Sequence, residues 1–234
     1  MKIDIWSDIR CPFCYIGKRR FEKALDRFPQ KDKVKVEWHS FELDPGIQTD
    51  KSINIYDYLA TRKGVSREAS VRMHEQVSEM ARQEGLEYNF DLAVVANSFD
   101  AHRLIQMAKR YGLGDEAEER LFKAYFTEGK DISDHLTLII LGDEIGLNGK
   151  EVKAMLDSDL YADEVRYDQK QAREAGINGV PFFIMNEKYA VSGAQHPDVF
   201  LHALQKGWED YEKQNEKVLA IDTDNNTCKP GGNC

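Results

Sequence analysis

Hydrophobic and polar positions follow two different periods along this chain. Residues 34–43 (Val-Lys-Val-Glu-Trp-His-Ser-Phe-Glu-Leu) alternate apolar and polar side chains, the period of a strand with one buried face. Residues 2–6 read as a shorter strand. Between the two, residues 14–28 place Tyr15, Phe21, Ala24, Leu25 and Phe28 near one helical face, and Pro29 closes the segment. Strand, helix and strand within about 45 residues make a βαβ unit with parallel strands. The period then becomes helical. Ser66 caps a segment carrying Met73, Val77, Met80 and Ala81 on one face up to Gly85. Residues 92–111 follow, with Val95, Ala96 and Phe99 aligned ahead of Gly112. Residues 115–128 carry Ala117, Leu121, Ala124 and Tyr125 before Gly129. Shorter helices are expected over 134–145 and 150–156, and a longer one over 159–175 with Gly176 as its C-cap. Strand signals return at Phe182-Phe183-Ile184-Met185 and Tyr189-Ala190-Val191, around turn residues Asn186-Glu187-Lys188. Pro197 stands near the start of a final helix reaching about Lys217.

Composition narrows the function classes. The 234 residues are 41% hydrophobic and 31% charged, enough to bury a core, with a net charge of −9. No dense Lys/Arg cluster is present, which argues against nucleic acid and against an anionic membrane surface. No long uncharged apolar run suits a membrane span. Asp4 and Asp8 interrupt the N-terminal residues, so the apolar stretch of roughly 7–15 residues that a secretory signal needs is missing. The expected localisation is cytoplasmic.

The four cysteines form two close pairs at opposite ends of the chain: Cys11 with Cys14, and Cys228 with Cys234. A reducing cytoplasm disfavours permanent structural disulfides, so such sparse pairs point to chemistry. Cys11-Pro12-Phe13-Cys14 is a C-x-x-C between a strand end and a helix start. There the unpaired N–H groups and the helix dipole favour a negative sulfur on Cys11, making it the attacking thiolate. Cys14, on the same first turn, is placed to resolve a mixed disulfide. Pro12 fits a first turn, where its missing N–H costs nothing. A zinc site built on both cysteine pairs is the alternative, but its second pair is widely spaced on a polar tail. No metal is expected. Val180-Pro181 is the second signal, a proline opening a strand just after the Asn178-Gly179 turn.

With β-α-β opening the chain and β-β-α closing it, the expected architecture is an α/β thioredoxin fold with an inserted all-helical domain. Residues 1–50 and 176–217 would form the thioredoxin-fold domain, 51–175 the insert, and 218–234 a flexible tail. The motifs W-S-D-x-x-C-P-F-C-Y-I-G-K (residues 6–18), G-V-P-F-F (179–183) and Y-A-V-S-G-A-Q (189–195) resemble the DsbA family. With residues 96–103 and 125–130, they resemble its cytoplasmic FrnE-type branch. The resemblance covers the chain to about residue 212. It implies Cys11 as nucleophile, Cys14 as resolving thiol, a cis peptide before Pro181 beside the cysteines, and Val180 backbone groups that hold a substrate strand.

The implied activity is thiol–disulfide exchange on protein thiols and disulfides. No cofactor is tightly bound, and glutathione or a thioredoxin-type reductant is a candidate exchange partner. Where periplasmic DsbA resembles Cys-Pro-His-Cys, this chain has Phe13. Phenylalanine cannot stabilise a thiolate as imidazole does, so a less oxidising couple is expected. Cys228 and Cys234 are a candidate second redox pair, since the five residues between them include Pro230 and two glycines. The main alternative is a glutathione-dependent isomerase or transferase of the hydroxychromene-carboxylate isomerase or kappa type, which typically has Ser at the Cys11 position. A third is a binding module with vestigial cysteines. His39 and His102 could approach the site, although packing is the commoner role for such residues. The acidic runs 115–119 and 209–216 read as solvated helix faces.

Overall fold

The computed structural model describes residues 1–224. A four-stranded sheet has the order β2-β1-β3-β4, from β1 (Lys2–Ser7), β2 (Lys35–Ser40), β3 (Phe182–Met185) and β4 (Tyr189–Ser192). β1 and β2 are parallel, as their helical crossover requires, and β3 runs antiparallel to both β1 and β4. The crossover is α1 (Pro12–Asp26). The last described helix is α9 (Pro197–Asp224), and α2 (Ile55–Lys63), α3 (Arg67–Gln83), α4 (Phe99–Arg110), α5 (Gly114–Phe122), α6 (His135–Glu144), α7 (Gly149–Leu156) and α8 (Ala162–Glu174) lie between β2 and β3. The α/β thioredoxin architecture with helices inserted between its halves is thus the observed one.

Alternation along β1 sends its side chains to two layers. Ile3 and Ile5 join Phe21 of α1, Phe28 just after it, Phe183 and Met185 of β3, and Phe200 and Leu204 of α9 in one core. Trp6 faces the other side, against Ala172 of α8 (Ala162–Glu174) and Ile177. A larger core fills the helical layer and reaches into α1, taking in Cys11, Cys14, Tyr15 and Ile16. The N-terminal half of α1 therefore belongs to the helical core and its C-terminal half to the sheet core.

Several elements differ from the expectations. β2 stops at Ser40, not residue 43, because β1 ends at Ser7 and turns away, leaving no partner strand. Leu43 N–H instead meets the Asp8 carboxylate at 2.8 Å. Helix α2 (Ile55–Lys63) had no sequence counterpart, since Ile55, Tyr56, Tyr58, Leu59 and Ala60 spread around the helix and form no single apolar stripe; Asn54 caps it. The helix expected over 92–111 begins only at Phe99, as α4 (Phe99–Arg110). Ahead of it, Val95 O accepts from Asp50 N–H, and Asn97 N–H donates to Thr49. Those long-range partners hold the segment extended.

After α5 (Gly114–Phe122) the chain widens into a π turn over Lys123–Thr127, where Phe126 O and Thr127 O accept from Asn89. α8 starts at Ala162 because Tyr161 takes a left-handed conformation (φ 65°). The final helix continues past Lys217 to Asp224, so the tail does not begin at residue 218; Val218, Leu219 and Ala220 contain no helix breaker. Ser66 caps α3 (Arg67–Gln83) as expected.

Gly17 marks the closest approach in the fold. A Cβ there would sit 2.9 Å from Pro181 Cγ and 3.5 Å from Phe183 Cζ. A mid-helix glycine costs ~1 kcal/mol against alanine, so this close approach is what it serves. Gly17→Ala is expected to destabilise the fold by roughly 1–3 kcal/mol through overpacking. It should also move the Val180-Pro181 segment relative to Cys11. Urea unfolding together with disulfide-reductase turnover checks this; wild-type values in both would contradict it.

Candidate active site

The site forms where β1 ends. Beyond Ser7 the chain turns so that Cys11 becomes the N-cap of α1, with extended backbone (φ −89°, ψ 110°) and Pro12 in the first turn. Cys11 N–H donates to Asp8 O and Cys14 N–H to Cys11 O, each at 2.9 Å. The Cys11 sulfur therefore lies at a helix N-terminus, where a negative charge is favoured. The Val180-Pro181 peptide is cis, and Cys11 Sγ donates to Val180 O at 3.4 Å. All four expected residues at this end of the sheet are thus brought together. Both thiols are free and buried, Cys11 at 4% exposure and Cys14 at 1%. Cys228 and Cys234 lie outside the described residues, as does the zinc site that would draw on them.

A groove of about 740 Å³ opens over Cys11, lined by Arg10, Phe13, Leu43, Tyr58, Met80 and Val180 among others. Phe13, 42% exposed, projects an aromatic face where a histidine would bring a titratable ring. Tyr88, between α3 and the extended segment, donates its hydroxyl to Pro12 O at 2.7 Å and stacks on Phe126. The helical layer thereby pins the first turn of α1 as well.

Behind Cys14 lies a buried polar cluster. Burial pushes the Cys14 thiol well up, the neighbouring Cys11 adds to this, and the Asp8 amide and Ser7 hydroxyl oppose it by favouring the ionised sulfur. Ser7 Oγ donates to Glu118 Oε2 at 3.4 Å. Burial raises the Glu118 carboxyl to about 8; His102 and Lys18 oppose the rise, while Asp115 and Asp8 reinforce it. His102, fully buried, has Nε2 3.5 Å from Asp8 Oδ1, and neither ring nitrogen makes a hydrogen bond among the described residues. Burial alone would discharge the imidazole, but Asp8, Glu118 and Glu42 raise it overall. Burial would likewise raise Asp8, yet His102 and the Leu43 N–H hold it below the usual carboxylate range.

These positions correct one expectation and divide another. In the run 115–119, Asp115 and Glu116 are solvated as expected, but Glu118 is not, being 1% exposed. The legible signal was its spacing from Leu121, Phe122 and Tyr125 at i+3, i+4 and i+7, which puts it on the apolar stripe. Of the two histidines, His102 reaches the cluster. His39 does not, being held between Asp4 and Asp168 at 2.7 and 2.8 Å and stacked on Trp6. Ser7 stood inside the 6–18 motif without a role assigned to it, Tyr88 carried no motif, and both were missed.

A family profile described as DSBA-like thioredoxin domain matches residues 2–205. The chain belongs to that family. It is similar to a probable DsbA oxidoreductase, SCO1869 of Streptomyces coelicolor, in its crystal structure: 39% identity, 89% of this chain and 90% of that one, TM-score 0.84. The uncharacterized protein YwbO of Bacillus subtilis (strain 168) is 35% identical over 204 residues, 86% of this chain and 94% of that protein. A 2-hydroxychromene-2-carboxylate isomerase shares the fold at 15% identity and TM-score 0.65, over 93% of this chain and 99% of that one. The family is one of thiol–disulfide oxidoreductases, and the chain is an oxidoreductase of that kind. Among the described residues no helix is long and apolar enough to cross a membrane.

A carboxyl that folding raises from 4.5 to about 8 makes stability fall as pH rises between those values, because the folded state holds a proton that the unfolded state releases. Glu118→Gln is expected to remove that decline and raise the midpoint of thermal unfolding near pH 8. The gain should be ~2–4 °C per kcal/mol recovered at this chain length. Thermal unfolding from pH 5 to 8 checks it; an unchanged slope would contradict it.

Proposed function

We propose that this DsbA-family member exchanges disulfides with protein substrates through Cys11 as nucleophile and Cys14 as resolving thiol. The observation that carries this is the placement of Cys11 Sγ at the α1 N-terminus, 3.4 Å from Val180 O and open to the groove. A thiolate there attacks a substrate disulfide and releases one substrate sulfur. Cys14 then attacks Cys11 Sγ, freeing the second and leaving a Cys11–Cys14 disulfide. The reverse sequence oxidises a dithiol, and a mixed disulfide that re-forms elsewhere is an isomerisation. Val180 backbone groups beside Pro181 would hold the substrate strand, and the cations Arg10 and Lys63 at the groove suit a carboxylate-bearing partner such as glutathione, Arg62 being paired there with Asp44.

The proposal takes 1–50 with 176–217 as the thioredoxin-fold unit and 51–175 as the helical unit closing over it. It places the chain in the FrnE-type branch and in the cytoplasm, with Cys228 and Cys234 as a second pair able to exchange with the first. Assigning these details rests on the motifs at residues 6–18 and 179–195.

Cys11→Ser is expected to abolish insulin reduction, and Cys14→Ser to accumulate a mixed disulfide on Cys11 visible by mass spectrometry. If Cys11→Ser kept full turnover, or isomerised a hydroxychromene substrate with glutathione, the isomerase or binding-module alternatives would replace this one. With Phe13 between the cysteines, the Cys11–Cys14 couple should lie below DsbA's value of about −120 mV. Equilibration against glutathione measures it; a potential at or above that value would contradict the role given to Phe13.

A further inference from the structure

A guanidinium drawn part-way out of water is costly unless an anion or enough acceptors meet it. Arg10, the residue before the nucleophile, is half-buried and has neither. Its Nη2 donates to the Tyr58 hydroxyl at 3.0 Å, and the guanidinium carbon lies 5.4 Å from the centre of that ring. Nε is enclosed with no acceptor, and Arg10 makes no ion pair among the described residues. The carboxylates of this network are engaged elsewhere. Asp8 accepts from the backbone N–H groups of Arg10 and Leu43 and lies against His102. Asp44 accepts from the Tyr58 hydroxyl and is paired with Arg62. Burial opposes the charge on Arg10, while Tyr125, Asp8 and Tyr58 favour it. A guanidinium does not deprotonate in proteins, so the charge persists without a partner of its own.

The groove presents this cation to whatever reaches the nucleophile, since Arg10, Cys11 and Val180 line the same space. Phe13, Leu43, Val77 and Met80 make much of the remaining wall apolar. An anion entering there loses water and gains most from a charged donor.

We propose that Arg10 is a specificity residue of the groove, receiving a carboxylate carried beside the substrate cysteine. Arg10 and Cys11 are adjacent, so a substrate sulfur at Cys11 sets its neighbouring residue near the guanidinium. Two kinds of substrate carry a carboxylate there: a polypeptide with Asp or Glu next to its cysteine, and glutathione, whose carboxylates flank its own. The planar fork of arginine grips both oxygens of a carboxylate, which a lysine point charge does not. This inference rests on the thiol-exchange function proposed above and adds which disulfides it favours.

Two matched pairs of pyridyl disulfides test it on the reduced full-length protein. One pair is a short peptide with Glu or Gln beside the cysteine; the other is glutathione or its diester. Release of the coloured pyridinethione gives the rate of attack by Cys11. Each rate is divided by that of the same disulfide with mercaptoethanol, which removes the substrate's intrinsic reactivity. The wild-type protein should favour the carboxylate member by about 10- to 100-fold. A preference in the peptide pair alone assigns the carboxylate to protein substrates, and one in the glutathione pair alone assigns it to glutathione. Arg10→Gln should bring the ratio close to one, and Arg10→Lys should recover part of it. Equal wild-type rates within both pairs would overturn the role of Arg10, whether or not the variants fold. So would an Arg10→Gln protein that slows both members alike and keeps the wild-type ratio, because the cation would then serve only the thiolate. A wild-type protein no faster than Cys11→Ser on all of these disulfides would instead overturn the exchange function itself.

Discussion

The contact between Gly17 and Pro181 sets the geometry of everything around the cysteines. It lets α1 lie against the start of β3 with no side chain between them, and brings Val180 O to 3.4 Å from Cys11 Sγ. Another flank of the same turn is held by the Tyr88 hydroxyl on Pro12 O. One flank belongs to the sheet half and the other to the helical layer. The nucleophilic turn is therefore clamped between two cores, and its position depends on both. Close-packed interiors transmit small volume changes, so one methyl at residue 17 is felt at the sulfur.

Desolvation is the second shaping force. Sealing Cys14 between the cores disfavours its thiolate, and the same sealing raises the Glu118 carboxyl. The Asp8–His102 contact buries a carboxyl against an imidazole, and each pushes the other toward its charged form. Such a cluster costs stability, and a hydrophobic replacement would pack more cheaply. Its survival beneath a reactive thiol fits the general observation that perturbed titrations gather at functional sites. The helical layer is thus more than a cover, since α4 and α5 supply the charged groups behind the resolving cysteine.

Family membership and the local geometry bear on different questions. The profile match over residues 2–205 and the likeness to the Streptomyces oxidoreductase establish the class of chemistry. The groove, lined by Phe13 and Arg10 among others, bears on which disulfides enter it.

Much of this molecule was determined by the sequence alone, because the signals were local. Alternation defined β2, an apolar stripe defined α1, and Ser66 and Asp134 capped their helices through their own side chains. The C-x-x-C at a strand–helix junction placed Cys11 at a helix N-terminus, since that depends only on neighbouring residues. Val180 and Pro181 were legible through motif resemblance. Tertiary structure alone decided the rest. Residues 92–98 lost their helix to backbone partners at Thr49 and Asp50, and Asn89 drew the carbonyls after α5 into a π turn. Glu118 became a buried acid because α5 turns that face toward Ser7, 111 residues away in sequence. Spacing shows which side chains share a helix face. What that face meets, and whether water is excluded there, follows only from how the elements pack, and burial sets the chemistry of Cys14 and Glu118.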